Sequence, residues 1–216
     1  MPVLYRLDAD ATVVAAAFGA RANEDPWPGG AVSPGQFAPV ITAGREFVAG
    51  PRPPGRPLET RLTPRLWGVP PPPAAGDARR GVLTVRNPGS PFWIGNLRNS
   101  EFRCLVPATA FMEWGKGTNR DGQRRRHWFT LADQPLFAMA GVWKDSEVPG
   151  FALLTCEPNA ALRAAGRDAM PVILPPDAEA RQAWLHAGWD RAQRLLEPYP
   201  SSMMREAGTD PSHPAG

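Results

Sequence analysis

The sequence predicts an α+β fold dominated by strands, with a few peripheral helices. Two observations carry that reading. Short apolar segments rich in β-branched and aromatic residues recur from about residue 81 to residue 174, and helical patterns are confined to one stretch near the start and two near residue 190. A third observation, the absence of any internal repeat, argues against a solenoid. With 216 residues, 43% of them hydrophobic, the chain can bury one sizeable core.

Residues 9–20 (ADATVVAAAFGA) read as a short helix, with Asp8 or Asp10 as its cap and Gly19 at its end. Residues 21–36, crowded with Pro26, Pro28, Gly29, Gly30, Pro34 and Gly35, read as loop. Strands are expected over 37–42 and 45–49. Two proline-rich runs follow, at 51–57 and 69–80. Between them Leu62, Leu66 and Trp67 have the character of core residues, so the prolines read as ordered surface loops of one domain. Further strands are expected over 81–86, 103–110, 127–132, 135–143, 150–156 and 170–174. Their alternation is imperfect, as suits strands buried on both faces. Helices are expected over 177–187 and 191–196. The domain is expected to span 1–206, followed by a disordered tail over 207–216.

The formal net charge is +3 and the pI about 9.3, a balance that tolerates an anionic partner without demanding one. Most of the positive charge is arginine, whose planar fork matches phosphate oxygens. The start, MPVLYRLDAD, has no basic stretch followed by an apolar core, and no apolar run approaches ~20 residues. A cytoplasmic protein without a membrane partner is therefore expected. Cys104 and Cys156 lie in apolar runs and read as buried free thiols; no cysteine–histidine spacing suggests zinc, and neither metal nor cofactor is expected.

Several blocks occur together and in order: LWGVP at 66–70, SPFW at 90–93, EFRCLVPATAFMEW at 101–114, PLFAMAGVW at 135–143, TCEPN at 155–159 and MPVIL at 170–174. This series, over roughly residues 3–205, resembles the SOS response-associated peptidase (SRAP) family, whose members cap abasic sites in single-stranded DNA. The resemblance implies a cysteine at position 2 that closes a thiazolidine ring on the abasic aldehyde. A glutamate, an asparagine and a histidine assist, arginines hold phosphates, and a Trp-Gly segment lines the DNA groove. Carried over residue by residue, position 2 is Pro2. The glutamate is Glu113. The Asn-Ala-Arg triplet reads Thr84-Val85-Arg86, losing the asparagine and keeping the arginine. The places for the histidine hold Gly166 and Arg167; the histidines present are His127, His186 and His213. Trp67 and Gly68 are retained, while a second tryptophan gives way to the proline run.

Beside Phe111 and Trp114, Glu113 has the surroundings that raise a carboxyl pKa, which suits a general acid. The resemblance makes Arg86 and Arg103 phosphate ligands and Trp67 a base-stacking residue, with Met170-Pro171 shaping the site floor. Trp93, Trp114, Trp128 and Trp143 read mostly as core. Arg124, Arg125 and Arg126, with Lys116 and Arg120, read as a basic cluster tipping a hairpin between Trp114 and Trp128. Three functions follow as expectations. The first is binding of single-stranded DNA at abasic sites in the DNA damage (SOS) response, without thiazolidine crosslinking. The second is an abasic-site lyase acting through an iminium on Pro2. The third is a peptidase, for which the sequence offers no nucleophile–base pair.

Overall fold

The computed structural model describes residues 4–22, 26–44, 59–72, 81–118, 122 and 124–207. The chain opens with strand β1 (Leu4–Leu7) and helix α1 (Ala11–Phe18). Asp10 caps α1 by accepting a hydrogen bond from the Val13 amide, and Gly19 ends it. Then come β2 (Gly30–Val32), β3 (Phe37–Ala43), β4 (Thr60–Trp67), β5 (Thr84–Val85) and α2 (Ile94–Arg98). The central strands are β6 (Arg103–Ala108), β7 (Ala110–Thr118), β8 (Arg124–Leu131), β9 (Phe137–Lys144) and β10 (Gly150–Cys156). Helix α3 (Ala160–Ala164), β11 (Met170–Pro171), α4 (Ala178–His186), α5 (Trp189–Ala192) and β12 (Met204–Ala207) complete the order.

The strands form two sheets. One has the order β12-β8-β7-β1-β2. In the other, β9 pairs with both β6 and β10, so that β10, β4, β3, β6 and β9 form a closed circuit, with β5 and β11 added along β10. Closure leaves those five strands no free edge over their paired stretch. Strands β6, β9 and β10 are buried along almost their whole length, which is why their sequence reads as continuous apolar runs rather than alternation. The two sheets share one core. Tyr5 and Phe111 of the first sheet and Trp67 and Phe151 of the second belong to the same buried cluster, and Tyr5 meets Trp67 at a ring separation of 5.2 Å. The architecture is the strand-dominated α+β fold that the sequence predicts.

Several elements differ from expectation. The stretch 21–36 contains β2, and the segment around Leu62, Leu66 and Trp67 is strand β4, of which Leu62 and Trp67 are buried and Leu66 half-buried. The expected strand 81–86 narrows to Thr84–Val85, and 170–174 to Met170–Pro171, with Val82 and Ile173 making single bridges. The strand expected over 103–110 breaks at Thr109, where the chain passes from β6 of one sheet to β7 of the other. Arg124, Arg125 and Arg126 lie within β8 rather than at a loop tip, and Ala207 is paired in β12 rather than in a tail. The strand expected over 45–49, both proline-rich runs in large part, Arg120 and residues 208–216 lie outside the described residues.

Candidate functional site

Strand β7 carries the glutamate. Along it Phe111 and Glu113 face inward, while Met112 and Trp114 face the other side of the sheet, packing with Ala110 and Trp128 or against them. Glu113 is 0% exposed. Burial pushes its carboxyl pKa up, and the positive charge of Arg167 opposes that shift in part. The Arg167 Nε lies 3.0 Å from the Glu113 Oε2 as an ion pair, and its Nη1 donates to the Trp114 carbonyl at 3.1 Å. Arg167 therefore straddles residues 113 and 114, at a place where the resemblance calls for a histidine.

What brings Arg167 there is the end of α3. Asn159 caps the helix start by accepting from the Leu162 amide, and the chain then reverses through Gly166 at φ +78°. The Arg167 amide donates back to the Leu162 carbonyl at 2.8 Å. A Cβ at Gly166 would lie 2.4 Å from the Lys116 side chain, so only glycine fits this turn without strain or displacement.

Arg86 is reached through the very next residue. Asp168 pairs with the Arg86 guanidinium at 2.8 Å, and that hydrogen bond holds the Asp168 carboxyl below its usual range. Arg86 is 51% exposed. With Thr155, Cys156, Glu157 and Asp168 it lines an open cavity of about 290 Å³. The consecutive pair Arg167-Asp168 thus links Glu113 to Arg86. Thr84 lies two residues away on β5, opposite Leu153 of β10. Cys156, expected to be buried, is half-buried at this cavity, and burial pushes its thiol pKa up to about 12. Cys104 is buried.

Trp67 and Gly68 line a second cavity of about 550 Å³ with Pro34, Gly35, Gly81 and Leu83. Although it borders this space, Trp67 is 0% exposed. Its ring packs against Tyr5 and Phe151, and its Nε1 donates to the Leu83 carbonyl at 3.2 Å. In this conformation it has no face open for a base to stack on, so the expected stacking role is not met.

Arg103 is a clearer correction. It too is 0% exposed. Its Nε donates to the Trp184 carbonyl at 2.6 Å, its Nη1 to the Leu97 carbonyl at 2.9 Å, and its Nη2 to the Ala187 carbonyl. The guanidinium donates to carbonyls at the ends of α2 and α4, and its burial keeps it from a phosphate. Its pKa is lowered to about 10 by burial, which still leaves it charged at neutral pH. Met170 is fully buried on β11, beside Cys156.

Pro2 lies outside the described residues. Leu4, the first described residue, is paired with Met112, the neighbour of Glu113. A residue that the sequence reading passed over is His127. It stands directly opposite Glu113 on β8, so the two side chains share a face, and Glu206 of β12 holds its Nδ1 at 2.5 Å. The available signal was hairpin symmetry: Phe111–Phe129, Met112–Trp128, Glu113–His127 and Trp114–Arg126 are all centred on position 120. Among the described residues there is no group of three histidine, cysteine, aspartate or glutamate side chains suited to a metal ion, and no helix is long and apolar enough to cross a membrane.

The chain is similar to several known proteins. Over 111 residues the chain is 33% identical to the abasic site processing protein YoqW of Bacillus subtilis, and equally to that of Bacillus phage SPbeta. That match spans 47% of this chain and 47% of each relative, about half of their length. Solved structures share the fold at lower identity. A protein from Bordetella bronchiseptica is 22% identical with a TM-score of 0.73, covering 96% of this chain and 99% of that one. One from Bacteroides thetaiotaomicron is 20% identical with a TM-score of 0.72, covering 97% and 93% respectively. The model of the SOS response associated peptidase (SRAP) family matches residues 1–208, and the chain belongs to that family.

Proposed function

We propose that this protein binds single-stranded DNA at abasic sites and does so without forming a thiazolidine. The observation that carries the reading is the linked pair of contacts Glu113–Arg167 and Asp168–Arg86. Through Arg167 and Asp168 it links a buried carboxyl with a raised pKa to an exposed guanidinium, in a chain of the SRAP family that is also similar to abasic site processing proteins. An exposed arginine can neutralise a phosphate, and such contacts give affinity without reading sequence. A thiazolidine needs both an amine and a thiol on residue 2, and proline has no thiol.

The test is to measure binding of single-stranded oligonucleotides with and without one abasic site, then to run the mixtures on a denaturing gel. Tighter binding of the abasic strand, with no adduct surviving denaturation, is expected. Equal affinity for both strands at low salt refutes the abasic reading, and a denaturation-stable adduct formed without reductant refutes the absence of crosslinking.

A second reading, an abasic-site lyase using the Pro2 amine, is favoured by the register of β1. Leu4 stands beside Met112, and two peptide units reach at most about 7 Å. Where the mature chain begins at Pro2, its neutral secondary amine would add to the C1′ aldehyde and release water as an iminium forms. Loss of a C2′ proton would then expel the 3′ phosphate, and water would hydrolyse the iminium. Borohydride trapping that disappears when one residue is added before Pro2 supports this reading; a chain verified by mass to begin at Pro2 that never traps refutes it.

A further inference from the structure

Across β7, β8 and β12 the inner face of the first sheet carries a row of three ionisable side chains, Glu113, His127 and Glu206. Glu113 and His127 are direct cross-strand partners, and such partners have Cβ atoms about 4.5–5.5 Å apart. On the other side, the Glu206 carboxylate engages the His127 Nδ1, which fixes the ring and leaves Nε2 to act. The ring continues the aromatic row of Phe111 and Phe129, stacked at 6.5 Å from Phe129. Its Nε2 edge lies over Gly115, where a Cβ would stand 2.1 Å from that nitrogen. The glycine is what allows the imidazole to lie flat across β7, next to the Glu113–Arg167 pair.

Exposure separates the two candidates for proton transfer. The Glu113 side chain is closed to solvent, whereas that of His127 is 19% exposed. Only the imidazole can meet a bound sugar without the site first opening. The charged groups on the elements around it are Glu113 and Lys116 of β7, Arg124, Arg125 and Arg126 of β8, Arg205 and Glu206 of β12 and Arg167 after α3.

We propose that His127, oriented by Glu206, is the proton-transferring residue of this site, acting on the ring-opened abasic sugar. The proposal rests on the abasic-site reading above. The neutral Nε2 takes a proton from C2′, next to the C1′ aldehyde or its iminium. The C–H electron pair forms the C2′=C3′ double bond, the C3′–O bond breaks, and the 3′ phosphate leaves with that bond's electrons on the downstream strand. The protonated imidazole then returns its proton to water. No oxidant, reductant or metal enters the balance. Glu206 is a positioning residue, fixing the ring through Nδ1.

The experiment compares the wild type with His127→Gln and Glu206→Gln, measuring both the affinity for single-stranded DNA with one abasic site and the rate of strand cleavage there from pH 5.5 to 8.5. General acid–base groups contribute on the order of 10²–10⁴ in rate, so His127→Gln should slow cleavage about 100-fold. Its affinity should stay within about threefold of wild type, since removing a group that acts only in the transition state leaves ground-state binding alone. Its cleavage should also lose the pH dependence that the wild type shows over this range. Glu206→Gln should fall between the two and keep a displaced pH profile, an effect that a purely structural role would not produce. Because Glu206 is about half exposed, that variant carries the test if His127→Gln does not fold. Abasic strands bound but cleaved no faster than free DNA, or cleaved equally by all three proteins, would overturn this proposal and leave the binding reading intact. Failure of the wild type to prefer abasic DNA would overturn the binding reading and this proposal with it.

Discussion

Replacing Arg103 separates a structural arginine from a phosphate ligand. The guanidinium is fully buried and donates to the carbonyls of Trp184, Leu97 and Ala187, so it holds together β6, α2 and the end of α4. Arg103→Met keeps the length of the stem and removes all three donors. Each carbonyl left buried without a partner costs about 1–3 kcal/mol. The Trp184 and Leu97 carbonyls would together cost up to about 6 kcal/mol, the part-exposed Ala187 carbonyl less than either, and relief from burying a charge offsets part of this, leaving a net loss of about 3–5 kcal/mol. Against a total stability of about 5–15 kcal/mol for a domain of this kind, that is a large fraction. Arg103→Lys keeps the charge but cannot reach three carbonyls with one ammonium, and should lose about 2 kcal/mol. Urea unfolding followed by tryptophan fluorescence reads both values. The folded variants should bind single-stranded DNA with an unchanged salt slope, because no phosphate contact has been removed. A loss below about 1 kcal/mol, or a salt slope shallower by about 0.7, would show that the side chain leaves its carbonyls for DNA.

Three more outcomes are expected. The folded state holds the Glu113 proton more tightly than the unfolded chain does, so this group's contribution to stability falls as pH rises from the ordinary carboxylate range through its raised value; Glu113→Gln should abolish that fall when stabilities are compared by denaturation at a series of pH values, and an unchanged difference between the two proteins across the window would refute it. Arg86→Ala should weaken binding of all single-stranded sequences alike and reduce the salt slope by about 0.7, whereas Asp168→Asn, which frees Arg86 from its partner, should tighten binding; titrations by fluorescence anisotropy at several salt concentrations check both. Gly166→Ala should cost about 1–2 kcal/mol from the left-handed backbone alone, seen as a lowered urea midpoint, and should move Arg167 relative to Glu113.

The sequence displays the elements whose signal is local. Asp10 and Asp177 sit where helix starts require an acceptor, and each caps its helix, whereas the five-residue α3 behind Asn159 is too short to show a periodic pattern. The apolar runs of β6, β9 and β10 announce strands buried on both faces. Partnership at long range is much less visible. Nothing local to Arg103 distinguishes a guanidinium that faces phosphate from one that faces carbonyls more than eighty positions away on α4. Trp67 sits at a recognisable Trp-Gly pair, yet its burial depends on Tyr5 and Phe151, contributed by two other strands. Arg167 reads as the loss of a histidine because its partner on β7 is known only once α3 is docked. Glu113 is legible through the Glu-Trp pair on which the family resemblance rests, while its burial comes from the fold: its chain neighbours Met112 and Trp114 face the other side of the sheet.

The order in which strands join the first sheet bears on how the chain is made. The hairpin of β7 and β8 is local and can form as soon as it leaves the ribosome, whereas the β12 partner of β8 is still to be synthesised: Glu206 follows His127 by 79 residues. Throughout that interval β8 presents an unpaired edge along Trp128–Leu131, the stretch that β12 later covers. A translation product that stops short of Met204 would keep this apolar edge bare and leave the imidazole without its carboxylate. Such fragments should pair edge to edge and precipitate rather than persist as soluble, half-built proteins.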